Sequence, residues 1–149
     1  MEAAMKKKII TICILLAIAV AISAYAIYWL VPVRIYDDLG LNGKTVAKVT
    51  DYMGEKVYPK EKADEITEEL SSLCGRRLKQ PKNIIGSAPP SKTDDITVIY
   101  TDGTETSWRL NNRADGDVCF VINSGGSWHH YKMYDYETLY DCLGIKKRW

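Results

Sequence analysis

Hydrophobic positions along the chain form one unbroken block, followed by shorter alternating and helical patterns. From Ile9 to Val31 no residue is charged, and twelve positions are Ile, Leu or Val. A helix over this block rises about 34 Å, enough to cross a hydrocarbon core of about 30 Å. Its branched aliphatics contribute roughly −4 to −7 kcal/mol to insertion. Thr11, Cys13 and Ser23 interrupt the block only with small side chains, whose polar atoms can bond back to their own helix. Pro32, lacking an N–H, ends it.

Beyond Pro32 the pattern changes to that of a water-soluble domain. Asn42-Gly43 offers a turn, and Thr45 to Thr50 alternates as an edge-type strand that breaks at Asp51 to Gly54. Glu55 to Pro59 can return beside it. Lys60 to Cys74 places Ala63, Ile66, Leu70, Leu73 and Cys74 at three- and four-residue steps, predicting an amphipathic helix. Acidic Glu61, Asp64 and Glu65 sit at its start, where the helix dipole favours them, and Gly75 is the expected stop. The stretch from Arg76 to Lys92, with Pro81, Gly86, Pro89 and Pro90, reads as a long connection broken by Asn83-Ile84-Ile85.

Asp95 to Leu110 reads as a hairpin turning at Asp102-Gly103. A two-residue loop would set Ile96, Val98 and Tyr100 beside Glu105, Ser107 and Arg109, mixing core and solvent positions on one face. A three-residue loop with Gly103 left-handed pairs Tyr100 with Thr104 and aligns the apolar row with Thr106, Trp108 and Leu110, so that register is expected. After a polar turn over Asn111 to Asp117, the continuously apolar Val118 to Ile122 suits a central strand. Asn123 to Ser127 turns the chain, and Trp128 to Tyr134 completes the meander. Asp135 is the expected N-cap of a short helix from Tyr136 to Gly144, with Tyr136, Leu139, Tyr140 and Leu143 as its stripe.

These elements predict an α+β fold: an N-terminal transmembrane helix, then an antiparallel sheet of about four to five strands with a longer and a short helix packed on one face. The expected divisions are a cytoplasmic N-terminus over residues 1–8, a transmembrane helix over 9–31, a stalk over 32–44 and an extracytoplasmic α+β domain over 45–149. A chain with 46% apolar and 26% charged residues fits one folded domain plus an appendage.

Charge sets the orientation. Lys6-Lys7-Lys8 abuts the apolar block, whereas Arg34 and then Asp37-Asp38 follow it, so the positive-inside rule leaves the N-terminus in the cytoplasm and the C-terminal domain outside. Tyr25, Tyr28 and Trp29 suit the outer interface. The alternative is a secreted protein cleaved at Ala19-Val20-Ala21 or Ala24-Tyr25-Ala26, although the block outruns the 7 to 15 residues of a usual signal peptide. Setting aside Glu2 and the three lysines leaves 17 basic and 18 acidic residues, a balance that gives no footprint for nucleic acid. The run Arg76-Arg77-Leu78-Lys79-Gln80-Pro81-Lys82 reads as a solvated loop. The partners expected are the lipid bilayer, through residues 9–31, and a membrane or cell-wall component.

Candidate chemistry is sparse. Cys74, Cys119 and Cys142 lie outside the apolar block; a Cys74–Cys142 disulfide is the favoured pairing, with buried free thiols the alternative. No C-x-x-C spacing offers a zinc site, and no cofactor is expected. His129 and His130, adjacent on a strand, point to opposite faces and cannot readily share one metal. A hydrolase using either histidine is therefore an alternative to a noncatalytic binding or envelope-associated domain, in which Trp128, His130 and Trp108 would dock a ligand.

The order of apolar anchor, strand, Ala63-Asp64-Glu65-Ile66 helix, Thr97-to-Thr104 hairpin and late Gly-Ser-Trp strand resembles small uncharacterised membrane-anchored extracytoplasmic proteins of low-GC Gram-positive bacteria. That resemblance covers most of the chain and implies an envelope location. It carries no catalytic residue.

Overall fold

The computed structural model describes residues 2–51, 53–79, 95–112 and 118–144. The chain divides into two compact units, Met1–Val31 and Pro32–Trp149. The connection carrying Asn83-Ile84-Ile85 and the basic tail from Lys146 to Trp149 lie outside the described residues.

The first unit is one helix, α1 (Glu2–Leu30), whose stretch Met5–Leu30 is long and apolar enough to cross a membrane. Ile9, Ile10, Ile12, Leu15, Leu16, Ile18 and Val20 are all exposed, and at 3.6 residues per turn they occupy every side of the helix. The Thr11 hydroxyl donates to Lys7 O at 2.9 Å, the back-bonding expected of a small polar residue in an apolar setting. Tyr28 and Trp29 meet edge to face at 5.1 Å near the C-terminal end.

The second unit is α+β. Its elements are β1 (Val33–Arg34), α2 (Ile35–Asp38), β2 (Val46–Asp51), α3 (Lys60–Ser72), β3 (Cys74–Leu78), β4 (Asp95–Tyr100), β5 (Glu105–Asn112), β6 (Val118–Ser124), β7 (Ser127–Tyr134) and α4 (Glu137–Leu143). The sheet has seven strands in the order β1-β3-β7-β6-β5-β4-β2, every neighbouring pair antiparallel. The count exceeds the four to five expected because β1 and β3 carry arginines and a glycine rather than an alternating apolar pattern. They are strands by virtue of their pairing alone.

The β4–β5 hairpin has the expected register. Ile96 faces Trp108 and Val98 faces Thr106, the Tyr100 amide donates to Thr104 O at 2.9 Å, and Gly103 has φ +82°. Gly125 and Gly126 are both left-handed and close the β6–β7 turn between Ser124 and Ser127. β6 is central, with Phe120 and Ile122 buried on one face and Cys119 on the other. β2 forms one edge, irregular between Val46 and Lys48, a bulge that with exposed Lys48 discourages further strand addition. Of the expected return at Glu55 to Pro59, one bridge forms, Thr50 to Val57.

The core joins Ile35 of α2, Ile66 and Leu70 of α3 and Leu139 of α4 to Val98, Trp108, Phe120, Ile122 and Tyr131. Those strand positions share one face by register. Within it Tyr36 stacks on Trp108 at 5.9 Å, Trp108 Nε1 donates to Thr106 Oγ1 at 2.9 Å, and the Tyr100 hydroxyl lies 3.2 Å from the same oxygen. Burial, reinforced by Tyr100, pushes the Tyr36 phenol far above its usual range, so it stays neutral.

Three expectations are corrected. Residues 32–44 are not a stalk: Ile35, Tyr36 and Leu41 are buried in the core, and the segment contributes a strand and a helical turn. Gly75 does not stop α3. The helix ends at Ser72, Leu73 is extended, and Gly75 lies inside β3, so Arg76 and Arg77 occupy a strand paired along β7 rather than a solvated loop. Asp135 is not a capping residue; it takes φ +53°, Tyr136 holds the N-cap position without a side-chain bond, and Gly144 closes α4 as expected.

Candidate functional site

Register decides which proposed binding residues can act together. Trp128 and His130 alternate along β7 and share one face, where Trp128 opposes Asn123 and His130 opposes Val121 and Leu78. Trp108 opposes Ile122 on the other face and is fully buried. The expected trio is therefore divided by the thickness of the sheet. Trp128 is 44% exposed, with the Arg109 guanidinium 6.0 Å from its ring, and Arg109 in turn pairs with buried Asp95 at 3.1 Å. His130 is buried, whereas His129, on the core face, is partly exposed.

A second constellation lies at the opposite end of the sheet from β2. Asp38, the last residue of α2, receives two hydrogen bonds from Arg77 Nε, at 3.1 and 3.0 Å, and a further bond from Arg77 Nη2. The Tyr131 hydroxyl donates to Asp38 Oδ2 at 2.6 Å. Arg77 and Tyr131 are direct cross-strand partners on β3 and β7, so one carboxylate collects both. Burial raises the Asp38 pKa, but the Arg77 and Tyr131 hydrogen bonds, the Arg77 charge and the nearby His129 outweigh it and hold the group below the usual carboxylate range.

Asp38 and Arg77, with Val33, Arg34 and Asp37, line a cavity of about 350 Å³ that is broadly open to solvent. Such a volume falls at the small end of ligand sites. Arg34 Nη2 donates to Ser71 O at 3.4 Å, and Asp37 Oδ1 accepts from Asn42 Nδ2. The chain supplies these groups by folding β1 and α2 against β3; Val33 pairs with Gly75 and the Ile35 amide donates to Leu73 O at 3.1 Å. Sequence patterning missed this site by assigning Asp37-Asp38 to a stalk and Arg76-Arg77 to a loop. The available clue was the complementary charge of these two doublets.

Cys74 and Cys142 are separate thiols. Cys74 opposes Tyr134 on β3, whereas Cys142 in α4 lies against Lys62 and Glu65 of α3. The favoured disulfide is therefore not formed. Among the described residues no group of three or more His, Cys, Asp or Glu side chains is placed to hold a metal ion.

Comparison of the chain with protein-family models, curated proteins and solved structures gives no match.

Proposed function

We propose that the chain is a single-pass membrane protein whose α+β domain lies outside the cytoplasm and serves as a noncatalytic binding module of the cell envelope. The observation that carries this reading is α1: 26 residues from Met5 to Leu30, apolar on every side, with a mean hydropathy of 2.6 in the most apolar window and lysines only at the N-terminal end. A helix apolar all round needs an apolar environment all round, which a bilayer supplies. The lysine asymmetry supports an inward N-terminus.

Binding is favoured over catalysis by the state of the polar groups at the cavity. Asp38 is locked by Arg77 and Tyr131 and held ionised, making it a weak base for proton abstraction at neutral pH. Arg34, Asp37, Asp38 and Arg77 instead present fixed charges to a small ligand, beside apolar Val33.

Protease added to intact cells is expected to remove the α+β domain and leave a short membrane-embedded fragment. Digestion only after lysis would overturn the orientation. The small-x-small spacings Ala19-Val20-Ala21 and Ala24-Tyr25-Ala26 support, as a second reading, a domain released by cleavage after Ala21 or Ala26. The intact mass of the membrane-associated protein separates the two.

A further inference from the structure

We infer that the cavity bounded by Val33, Arg34, Asp37, Asp38 and Arg77 binds a zwitterionic headgroup carrying a phosphate and a primary ammonium, as in phosphatidylethanolamine. The inference deepens the membrane-anchored reading and rests on it.

The charges at the cavity divide into two kinds. Asp38 and Arg77 neutralise each other through their shared hydrogen bonds. Arg34 and Asp37 do not pair with one another. Arg34 is exposed and spends one donor of its five on the Ser71 carbonyl, leaving guanidinium donors suited to a phosphate. Asp37 is exposed and accepts from Asn42 through Oδ1, leaving Oδ2 as an acceptor for an ammonium.

The sign balance selects the ligand. Two arginines and two aspartates sum to zero, so a simple anion would meet Arg34 but also the Asp37 carboxylate, whereas a zwitterion satisfies both. A primary ammonium donates three hydrogen bonds; a trimethylated one donates none, so ethanolamine fits Asp37 better than choline. The volume of about 350 Å³ suits a headgroup, not a whole lipid. Arg34 also follows Val31 by three residues, a chain path of at most about 11 Å, which keeps it within reach of the headgroup layer when the apolar block spans the bilayer.

Full-length protein in detergent micelles, mixed with phosphatidylethanolamine, phosphatidylcholine or phosphatidylglycerol of matched acyl chains, tests this by native mass spectrometry of retained lipid. Phosphatidylethanolamine is expected to be retained about tenfold better than either competitor, the scale of one charge-assisted hydrogen bond. Asp37→Asn should abolish that preference at unchanged thermal midpoint, whereas Arg34→Gln, which removes the contact to the phosphate common to all three lipids, should weaken retention of each, and Arg34→Lys should restore part of it. Soluble glycerophosphoethanolamine should displace the lipid. Its binding without any lipid retention would assign the same chemistry to a free headgroup. Equal retention of all three lipids, or preference for phosphatidylglycerol alone, overturns the inference. Because retention is read in micelles, a protease result placing the domain inside the cell would sink the orientation without altering this measurement.

Discussion

Tyr131 on β7 and Asp38 at the end of α2, 93 residues apart in sequence, are joined by a 2.6 Å hydrogen bond from the phenol to Oδ2. With Arg77 on the same carboxylate, this contact ties the segment after the apolar block to the sheet. Asp38→Asn is expected to destabilise the domain by about 2 kcal/mol and Tyr131→Phe by about 1 kcal/mol. Urea denaturation of the two variants and their double mutant measures the coupling, and additive losses would show that the contact contributes nothing of its own.

The same carboxylate gives a pH dependence of determined sign. Its folded pKa is depressed, so its stabilising contribution is present above the unfolded value, about 3.9, and is lost as pH falls through the folded one. Between pH 6 and pH 2 the wild-type protein should lose more stability than Asp38→Asn. Parallel acid titrations of the two would refute the assignment.

Gly75 sits where β3 runs between β1 and β7, and an added Cβ would lie 2.9 Å from Lys132 O, 3.2 Å from Tyr131 Cβ and 3.3 Å from Ile35 Cδ1. Backbone cannot swing aside as a flexible side chain can, so Gly75→Ala should cost about 1–3 kcal/mol by overpacking. A helix-stop glycine would fail through its positive φ instead, a condition Gly75 does not meet. Gly103→Ala is the contrasting case: nothing lies within 4 Å, and the cost, about 1 kcal/mol, comes from φ +82° alone. Equilibrium unfolding of both variants, with Gly75→Ala no worse than Gly103→Ala, would remove the close-approach explanation.

The contrast between these glycines shows what patterning could reach. Gly103 was legible because Asp102-Gly103 is local turn chemistry and because only one register kept Ile96, Val98 and Tyr100 with Thr106 and Trp108. Gly75 was not, since its environment is made by Ile35, Tyr131 and Lys132, none a sequence neighbour. Ile35, Tyr36 and Leu41 likewise have no helical or strand period among Asp37, Asp38 and Gly40, and their burial depends on β3 and α3. The candidate cavity inherits that difficulty. Three of its four charges, Asp37, Asp38 and Arg77, come from a stalk reading and a loop reading that were each reasonable until β3 brought them together, and the fourth, Arg34, stands alone before α2.

The two described tryptophans of the sheet should separate cleanly. Trp108→Ala is expected to cost about 3–5 kcal/mol, because a fully buried ring stacked on Tyr36 and bonded to Thr106 is lost. Trp128→Ala removes an exposed ring and one cation–π contact and should cost under about 1 kcal/mol. Comparable losses at both positions would contradict the division of the aromatic residues between the two faces.

Cysteine chemistry gives the remaining check on the fold. Cys142 lies beside Glu65 and Lys62; burial first, then the Glu65 carboxylate, pushes its thiol above the ordinary range despite the opposing Lys62 charge. Thiolate, not thiol, is alkylated, so iodoacetamide should label Cys142 slowly at pH 7, and Glu65→Gln should speed the reaction. With no reductant present, mass analysis of the alkylated, proteolysed chain should find Cys74 and Cys142 each modified. A linked Cys74–Cys142 peptide would mean that α4 can leave α3 to approach β3, and the helix packing described would have to be redrawn.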